Sequence, residues 1–256
     1  CSSDLSLGAG LVIGLTAFPA FAEAQLEEVV VSARKREENL QSVPLAITAI
    51  TETELQRRSI RDLKDVAANT PGLTFFDINN NLAVPVIRGL SQTVIAAPDR
   101  NVALFYNGVF LSNTNVSNFD LLEMERIEVV KGPVSALYGR NAFGGAINYV
   151  PRKADPRKGV ESTVEATVGS DSRYGVKGSV NLPISDTLAV RLAGGYDQWD
   201  GSIKNNYGGK VGGFDATSAA WDIRWKPTEA LSIGQFGFYV DDTREQTAQY
   251  DYPNNC

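Results

Sequence analysis

Chemistry needs particular side chains at particular spacings, and several are missing here. The 256 residues contain no histidine, which removes the commonest general base and the commonest metal ligand. The two cysteines, Cys1 and Cys256, are the first and last residues, so no disulfide framework can be read. Gly132, Gly139, Gly144 and Gly145 lack the lysine placement and the spacing of a phosphate loop and suit tight turns instead. No nucleophile–base pair can be named, and neither a metal nor a cofactor site is expected. The net charge of −6 argues against a nucleic-acid surface, and the basic run "RKRE" (34–37) is too short and too mixed in sign to make one.

What remains is recognition chemistry. Three polar stretches, "DINNNLA" (77–83), "SQTVIAAPDR" (91–100) and "SNTNVSNFD" (112–120), offer amide and hydroxyl groups that can hydrogen-bond a chelate or a sugar. Their candidate ligand contacts are Asn80, Asn81, Gln92, Asn113 and Asn115. Two isolated cations, Arg88 and Lys131, end predicted strands. A third feature is "LEEVVVSARKREENLQ", in which Val29, Val30 and Val31 form a strand-like run with no core of its own on either side.

The elements that position these residues change character along the chain. Residues 5–18 are apolar but too short to span a bilayer as a helix. The "PAFAEA" that follows has small residues at Ala20 and Ala22, so residues 1–22 read as an export signal cut after Ala22, with an incomplete N-terminus. Residues 23–42 are polar apart from the valines and are expected to be a flexible tether. Residues 43–154 mix strand and helix signals. Thr51 with Glu54, and Ser59 with Asp62, each predict a capped short helix. Asn107-Gly108 predicts a type I′ hairpin turn, and "DLLEMERIEVVKGP" predicts a helical turn before a strand. This is a small α/β domain.

From residue 159 onward the pattern is strict alternation. Val160, Val164 and Val168 oppose Glu161 and Glu165; Leu188, Val190 and Leu192 oppose Arg191; Trp221, Ile223 and Trp225 oppose Asp222 and Arg224. Charge at mid-strand on one face and aromatics ending the other predict an antiparallel transmembrane β-barrel with a wet interior. Tight turns at 183–187 and 227–230 alternate with a long loop at 197–216, which sets inside against outside. The strand "LSIGQFGFYV" loses phase near Gly234-Gln235, where a bulge is expected. Five strands cannot close a membrane barrel, which needs at least about eight, so residues 155–256 are expected to be the beginning of a longer one.

An export signal, a valine-centred segment, an α/β domain and a barrel, in that order, resemble TonB-dependent outer-membrane receptors. Three motifs carry the resemblance: "EEVVVSARKREENLQSVPLAIT", similar to a TonB box and the start of a plug; "VIRGL" (86–90); and "ERIEVVKGPVSALYGRNAFGGAINYVPRK" (125–153), similar to the plug's C-terminal signature. The resemblance implies a plug inside a barrel of about twenty-two strands in the outer-membrane lipid. It implies that Glu27, Glu28, Val29, Val30, Val31, Ser32 and Ala33 hang into the periplasm and pair with the TonB protein. It further implies that Arg88 and Lys131 latch the plug to carboxylates of the barrel wall. The expected activity is energised uptake of a scarce ligand, foremost a ferric siderophore held as a preformed chelate. Vitamin B12, haem, an oligosaccharide, or a passive porin are the alternatives.

Overall fold

A computed structural model describes residues 29–32, 38–60, 62–79, 82–90, 101–112, 122–139, 141–204 and 209–245. The export signal and its cleavage site, Cys1 and Cys256 lie outside the described residues. So do Glu27, Glu28 and Ala33 of the valine segment, and Asn80, Asn81, Gln92, Asn113 and Asn115 of the polar stretches.

The chain opens with a two-stranded ribbon, β1 (Val30–Val31) and β2 (Glu38–Asn39), then β3 (Ile47–Thr51). Helix α1 (Glu52–Arg57) starts where predicted: the Thr51 amide donates to the Glu54 carboxylate at 3.3 Å. This satisfies one of the amides a helix start leaves without a partner. Helix α2 (Leu63–Ala68) is capped by Asp62 alone, whose carboxylate accepts from the Asp65 amide at 3.0 Å. Ser59 plays no part in that cap; its φ of 51° places it in the turn that ends α1.

Then come β4 (Leu73–Asn79), β5 (Leu82–Ile87), β6 (Val102–Tyr106), β7 (Val109–Phe110), β8 (Met124–Lys131), the short α3 (Ser135–Tyr138) and β9 (Gly145–Pro151). Asn107 and Gly108 turn the β6–β7 hairpin with φ of 49° and 79°, as the dipeptide predicts. Leu122 and Glu123 form a turn and β8 begins at Met124, so the strand starts earlier than its sequence suggests.

Five of these strands form one mixed sheet in the order β3-β8-β9-β6-β7, with β6 and β9 parallel. Its larger core lies under the helices, where Leu55, Leu63, Val66, Leu73 and Ile87 pack on Leu104, Ile127, Val129, Ile147 and Tyr149. A smaller core, Ala103, Phe105, Val130, Val134, Ala142 and Ala146, lies on the other face. Gly145 can only be glycine: its φ is 150°, and a Cβ there would lie 2.3 Å from the Val130 carbonyl oxygen and 2.7 Å from Ile87 Cδ1.

A second sheet follows: β10 (Glu161–Val168), β11 (Tyr174–Ser185), β12 (Leu188–Trp199), β15 (Phe214–Thr228) and β16 (Leu231–Arg244). A small hairpin of β13 (Ile203–Lys204) and β14 (Lys210–Val211) interrupts the connection from β12 to β15. All neighbours are antiparallel. Strands of 12 to 15 residues exceed the roughly 9–11 that a tilted strand needs to cross a bilayer. Among the described residues no helix is long and apolar enough to do so.

The polarity of this sheet is inverted. Val164, Val168, Val176, Leu192, Trp225 and Ile233 are exposed, whereas Asn181, Arg191, Asp197, Ser218 and Asp222 are buried. Water would select the opposite arrangement, so the exposed face suits lipid.

The bulge expected at Gly234-Gln235 is not present. Pairing runs unbroken through Ile223–Gln235, Arg224–Gly234 and Trp225–Ile233. The phase is obscured in the sequence because both faces of β16 are apolar: Phe236, Phe238 and Val240 pack on the core of the α/β domain. The two glycines make room for partners across the ladder. A Cβ on Gly234 would meet the Arg224 guanidinium at 2.5 Å, and one on Gly237 the Trp221 ring at 2.2 Å.

The two-residue turns at Asp186-Thr187 and Glu229-Ala230 lie at one end of the sheet and the β13–β14 hairpin at the other. Short turns face the periplasm in such barrels. A cysteine at Lys204 is therefore expected to react with a membrane-impermeant thiol reagent on intact cells, and one at Ser185 only after the outer membrane is permeabilised. The reverse labelling pattern would reject this orientation.

Candidate functional site

Two charged networks organise the α/β domain. The first surrounds Glu128, which is fully buried in the middle of β8. A carboxylate removed from water requires donors, and four converge on it. Arg126 Nε donates at 2.8 Å and Asn148 Nδ2 at 3.3 Å. The Ser32 amide donates at 2.7 Å and its hydroxyl at 3.0 Å. Asn148 is held in turn by accepting from the Gly108 amide at the hairpin turn, at 3.1 Å.

This network corrects the expected picture of the valine segment. Val30 and Val31 do not extend alone on a tether: they pair with Asn39 and Glu38, and Leu40 N–H donates to the Val29 carbonyl at 2.9 Å. Val31 is fully buried while Val30 stays exposed. A free strand leaves its backbone and apolar side chains in water, whereas this one pairs its backbone, buries Val31 and supplies donors to Glu128. The segment is docked on the domain.

The second network joins the domain to the wall. Glu123, just before β8, holds the guanidinium of Arg191 on β12, with Nε at 3.2 Å and Nη2 also in contact. Arg191 is buried and donates as well to Ser179 on β11 at 3.1 Å. Thr163 on β10 donates to Glu123 at 3.1 Å. After β9, the Ala154 amide donates to Asp222 at 2.9 Å and the Asp155 amide to Asn181 at 3.1 Å. Apolar contact completes the junction, with the Tyr106 ring 4.5 Å from that of Phe238. Arg191, Asp222 and Asn181, three buried polar groups of the wall, thus find partners across the junction.

Arg88 and Lys131 lie elsewhere. Arg88 is exposed with a φ of 51°, and Lys131 donates to the Pro71 carbonyl at 3.1 Å. Among the described residues neither forms an ion pair. Burial lowers the pKa of Lys131, and the nearby positive charge of Arg88 lowers it further. The plug–wall ties visible here are those of Glu123, Ala154 and Asp155.

Residues 39–146 match the model of the TonB-dependent receptor plug domain. The chain carries the plug domain of TonB-dependent receptors. The receptor is similar to the iron-regulated outer membrane virulence protein of Vibrio cholerae, 29% identical over 217 residues that make up 81% of this chain and 33% of that protein. It is also similar to the vitamin B12 transporter BtuB of Vibrio vulnificus, 29% identical over 71% of this chain and 30% of that protein. The chain therefore spans about a third of the length of these relatives.

In fold it matches the ferric yersiniabactin uptake receptor FyuA of Yersinia pestis, with a TM-score of 0.71 at 24% identity, covering 78% of this chain and 32% of that one. The ferripyoverdine receptor of Pseudomonas aeruginosa also gives 0.71, at 18% identity, over 84% and 27% of the two chains. The receptor is an outer-membrane protein, and its second sheet is barrel wall around the plug.

Sequence reasoning passed over Glu123, Glu128, Asn148 and Arg191 as site residues. A signal was there for two of them: Glu128 interrupts "RIEVV" and Asn148 interrupts "GAINYV", each a polar residue in the middle of an apolar strand. Arg191→Met in the complete receptor is expected to destabilise the plug–wall junction by about 3–5 kcal/mol, because it leaves the Glu123 carboxylate without its guanidinium. Adding Glu123→Gln is expected to recover most of that loss. Thermal unfolding of the purified receptor measures both; a double variant no more stable than Arg191→Met would show that the pair is not the tie.

Proposed function

We propose that the receptor takes up a ferric siderophore across the outer membrane, driven by TonB, and that Glu27 to Ala33 is the TonB box. One observation carries the reading: a strand-forming segment lies directly ahead of a plug that is itself tied to the inner face of a lipid-exposed wall. Such a segment can add to the edge of a partner sheet through main-chain hydrogen bonds, and its β-branched residues favour the extended state. The docked position of Val31 and Ser32 means that the box must leave Glu128 before it can pair fully. Ligand arrives from the outside, and the box works from the periplasm.

The iron-regulated and siderophore-named relatives support an iron chelate as ligand. Without histidine the chain would recognise a preformed chelate through hydrogen bonds, and Asn80, Asn81, Gln92, Asn113 and Asn115 are the candidate contacts. A corrinoid is the second reading, favoured by equal identity to the vitamin B12 transporter. Arg88 and Lys131 are proposed to pair with wall carboxylates, as two adjacent cations require counter-charges when the wall closes around them.

Val30→Pro removes one backbone donor and obstructs a partner strand. In the complete receptor it is expected to abolish energised uptake while whole-cell ligand binding stays near the parental level; Val30→Ile should transport like the parent. Parental transport by the proline variant would refute the box assignment. Ser32→Ala removes the hydroxyl that donates to Glu128 and leaves the valines and the Arg126–Glu128–Asn148 network intact. It is expected to increase capture of the receptor by a soluble TonB C-terminal domain in the absence of ligand, and unchanged capture would show that docking does not limit pairing.

A further inference from the structure

The hydroxyl of Tyr138 is shut off from water and, among the described residues, has no hydrogen-bond partner. Phenylalanine would fill the same space without the cost of taking that hydroxyl out of water. Tyr138 closes α3, and its ring lies 4.9 Å from that of Phe105, against the smaller core. Phe105 stands opposite Asn148 on β9, and Asn148 opposite Glu128 on β8. Residues paired across a sheet share a face, so Phe105, Asn148 and Glu128 form one row beside the phenol. Burial raises the pKa of Tyr138, and the negative charge of Glu128 raises it further. The proton therefore stays on the oxygen, available to a carboxylate.

Ser32 reaches the same row. Its hydroxyl donates to Glu128 at 3.0 Å and accepts from Asn148 Nδ2 at 3.4 Å, while its amide donates to Glu128 at 2.7 Å. Of the donors on Glu128, Arg126 and Asn148 belong to the sheet and stay; the two from Ser32 belong to the docked segment. Helix α3 is free to shift beside them. It has four residues and no side-chain cap at its start, and Ser135 and Ala136 are exposed. Gly132 and Gly139 flank it with φ of 115° and 81°, a region that side chains with a Cβ rarely enter.

We infer that the Tyr138 hydroxyl is the reserve donor of Glu128: when Ser32 leaves, the phenol swings onto the carboxylate in its place. The inference rests on the reading that the valine segment leaves its dock to pair with TonB. A buried carboxylate that loses donors is costly, and that cost holds the segment at its dock. The phenol offsets part of it. Its bond forms only in the undocked receptor, so Tyr138 sets how readily the segment is offered to a partner without touching that partner.

Tyr138→Phe keeps the ring and removes only the hydroxyl. A nitroxide on Val30→Cys, at a position exposed in the dock, is immobile when the segment is docked and mobile when it is free. Electron paramagnetic resonance reads the two populations in the complete receptor, with and without a soluble TonB C-terminal domain. The phenylalanine variant is expected to shift their ratio about tenfold toward the docked form and to bind the TonB domain about tenfold more weakly. Its thermal unfolding midpoint should be no lower than the parent's. A ring that only fills space would move neither the ratio nor the affinity. An unchanged ratio, or a shift toward the free segment, overturns the inference and leaves the box assignment standing. A lower midpoint also overturns it, since the hydroxyl then serves the resting fold. A shifted ratio in a receptor that the TonB domain does not bind rejects the box assignment and keeps the exchange of donors. A label immobile in parent and variant alike, with the TonB domain present, overturns both.

Discussion

The constraint on which the rest depends is that the part of the wall's inner face covered by the plug has neither lipid nor free water to satisfy it. Lipid on the outside selects Val164, Leu192 and Trp225 for exposure. The alternation of a strand then sends Arg191, Asp222 and Asn181 inward, where each needs a partner. The Glu123 carboxylate of the plug and the amides of Ala154 and Asp155, where the plug joins the wall, supply them. A charge left alone there would cost several kcal/mol. The wall and the second half of the plug are therefore mutually dependent, and fixing one positions the other.

The same logic operates inside the plug. Glu128 occupies a position where β8 would otherwise carry a valine or isoleucine, and its neighbours Arg126 and Asn148 do not saturate its acceptor capacity. Ser32 fills the remainder with an amide and a hydroxyl. A buried carboxylate thus becomes a receptor for a segment 96 residues away. An apolar residue at 128 would pack at least as well. What it would lack is a directional site for one particular serine, and that is the specificity a buried polar group can confer.

Much of the architecture was legible in the sequence. Alternation showed the wall strands, their faces and their turns, because period two is a purely local property. The Thr51 cap and the Asn107-Gly108 turn were legible for the same reason. Where local pattern and tertiary packing diverge, the reading failed. Phe236 and Phe238 looked like a phase error on β16, yet they are the wall's apolar contact with Tyr106. The docking of Val31 and Ser32 was invisible, since nothing near them in sequence hints at Glu128. Pairs such as Glu123–Arg191 and Glu52–Arg152 join residues 68 and 100 positions apart, and a single sequence carries no record of such distances.

The strength of the dock suits the proposal that this segment leaves it to pair with a partner. The ribbon of β1 and β2 contains two residue pairs, and charge-assisted hydrogen bonds such as those from Ser32 contribute about 1.5–3 kcal/mol each when both partners stay out of water. Undocking exposes Glu128 to solvent, which replaces part of what is lost, so the net holding energy is a fraction of the gross. Pairing along a partner strand offers new main-chain bonds at every second residue of the segment and needs no desolvated charge. Each 1.4 kcal/mol of difference between the two states shifts their ratio about tenfold. A short ribbon with one buried carboxylate at its end therefore keeps the valines ordered at rest, and leaves them within reach of a competitor that provides a longer edge.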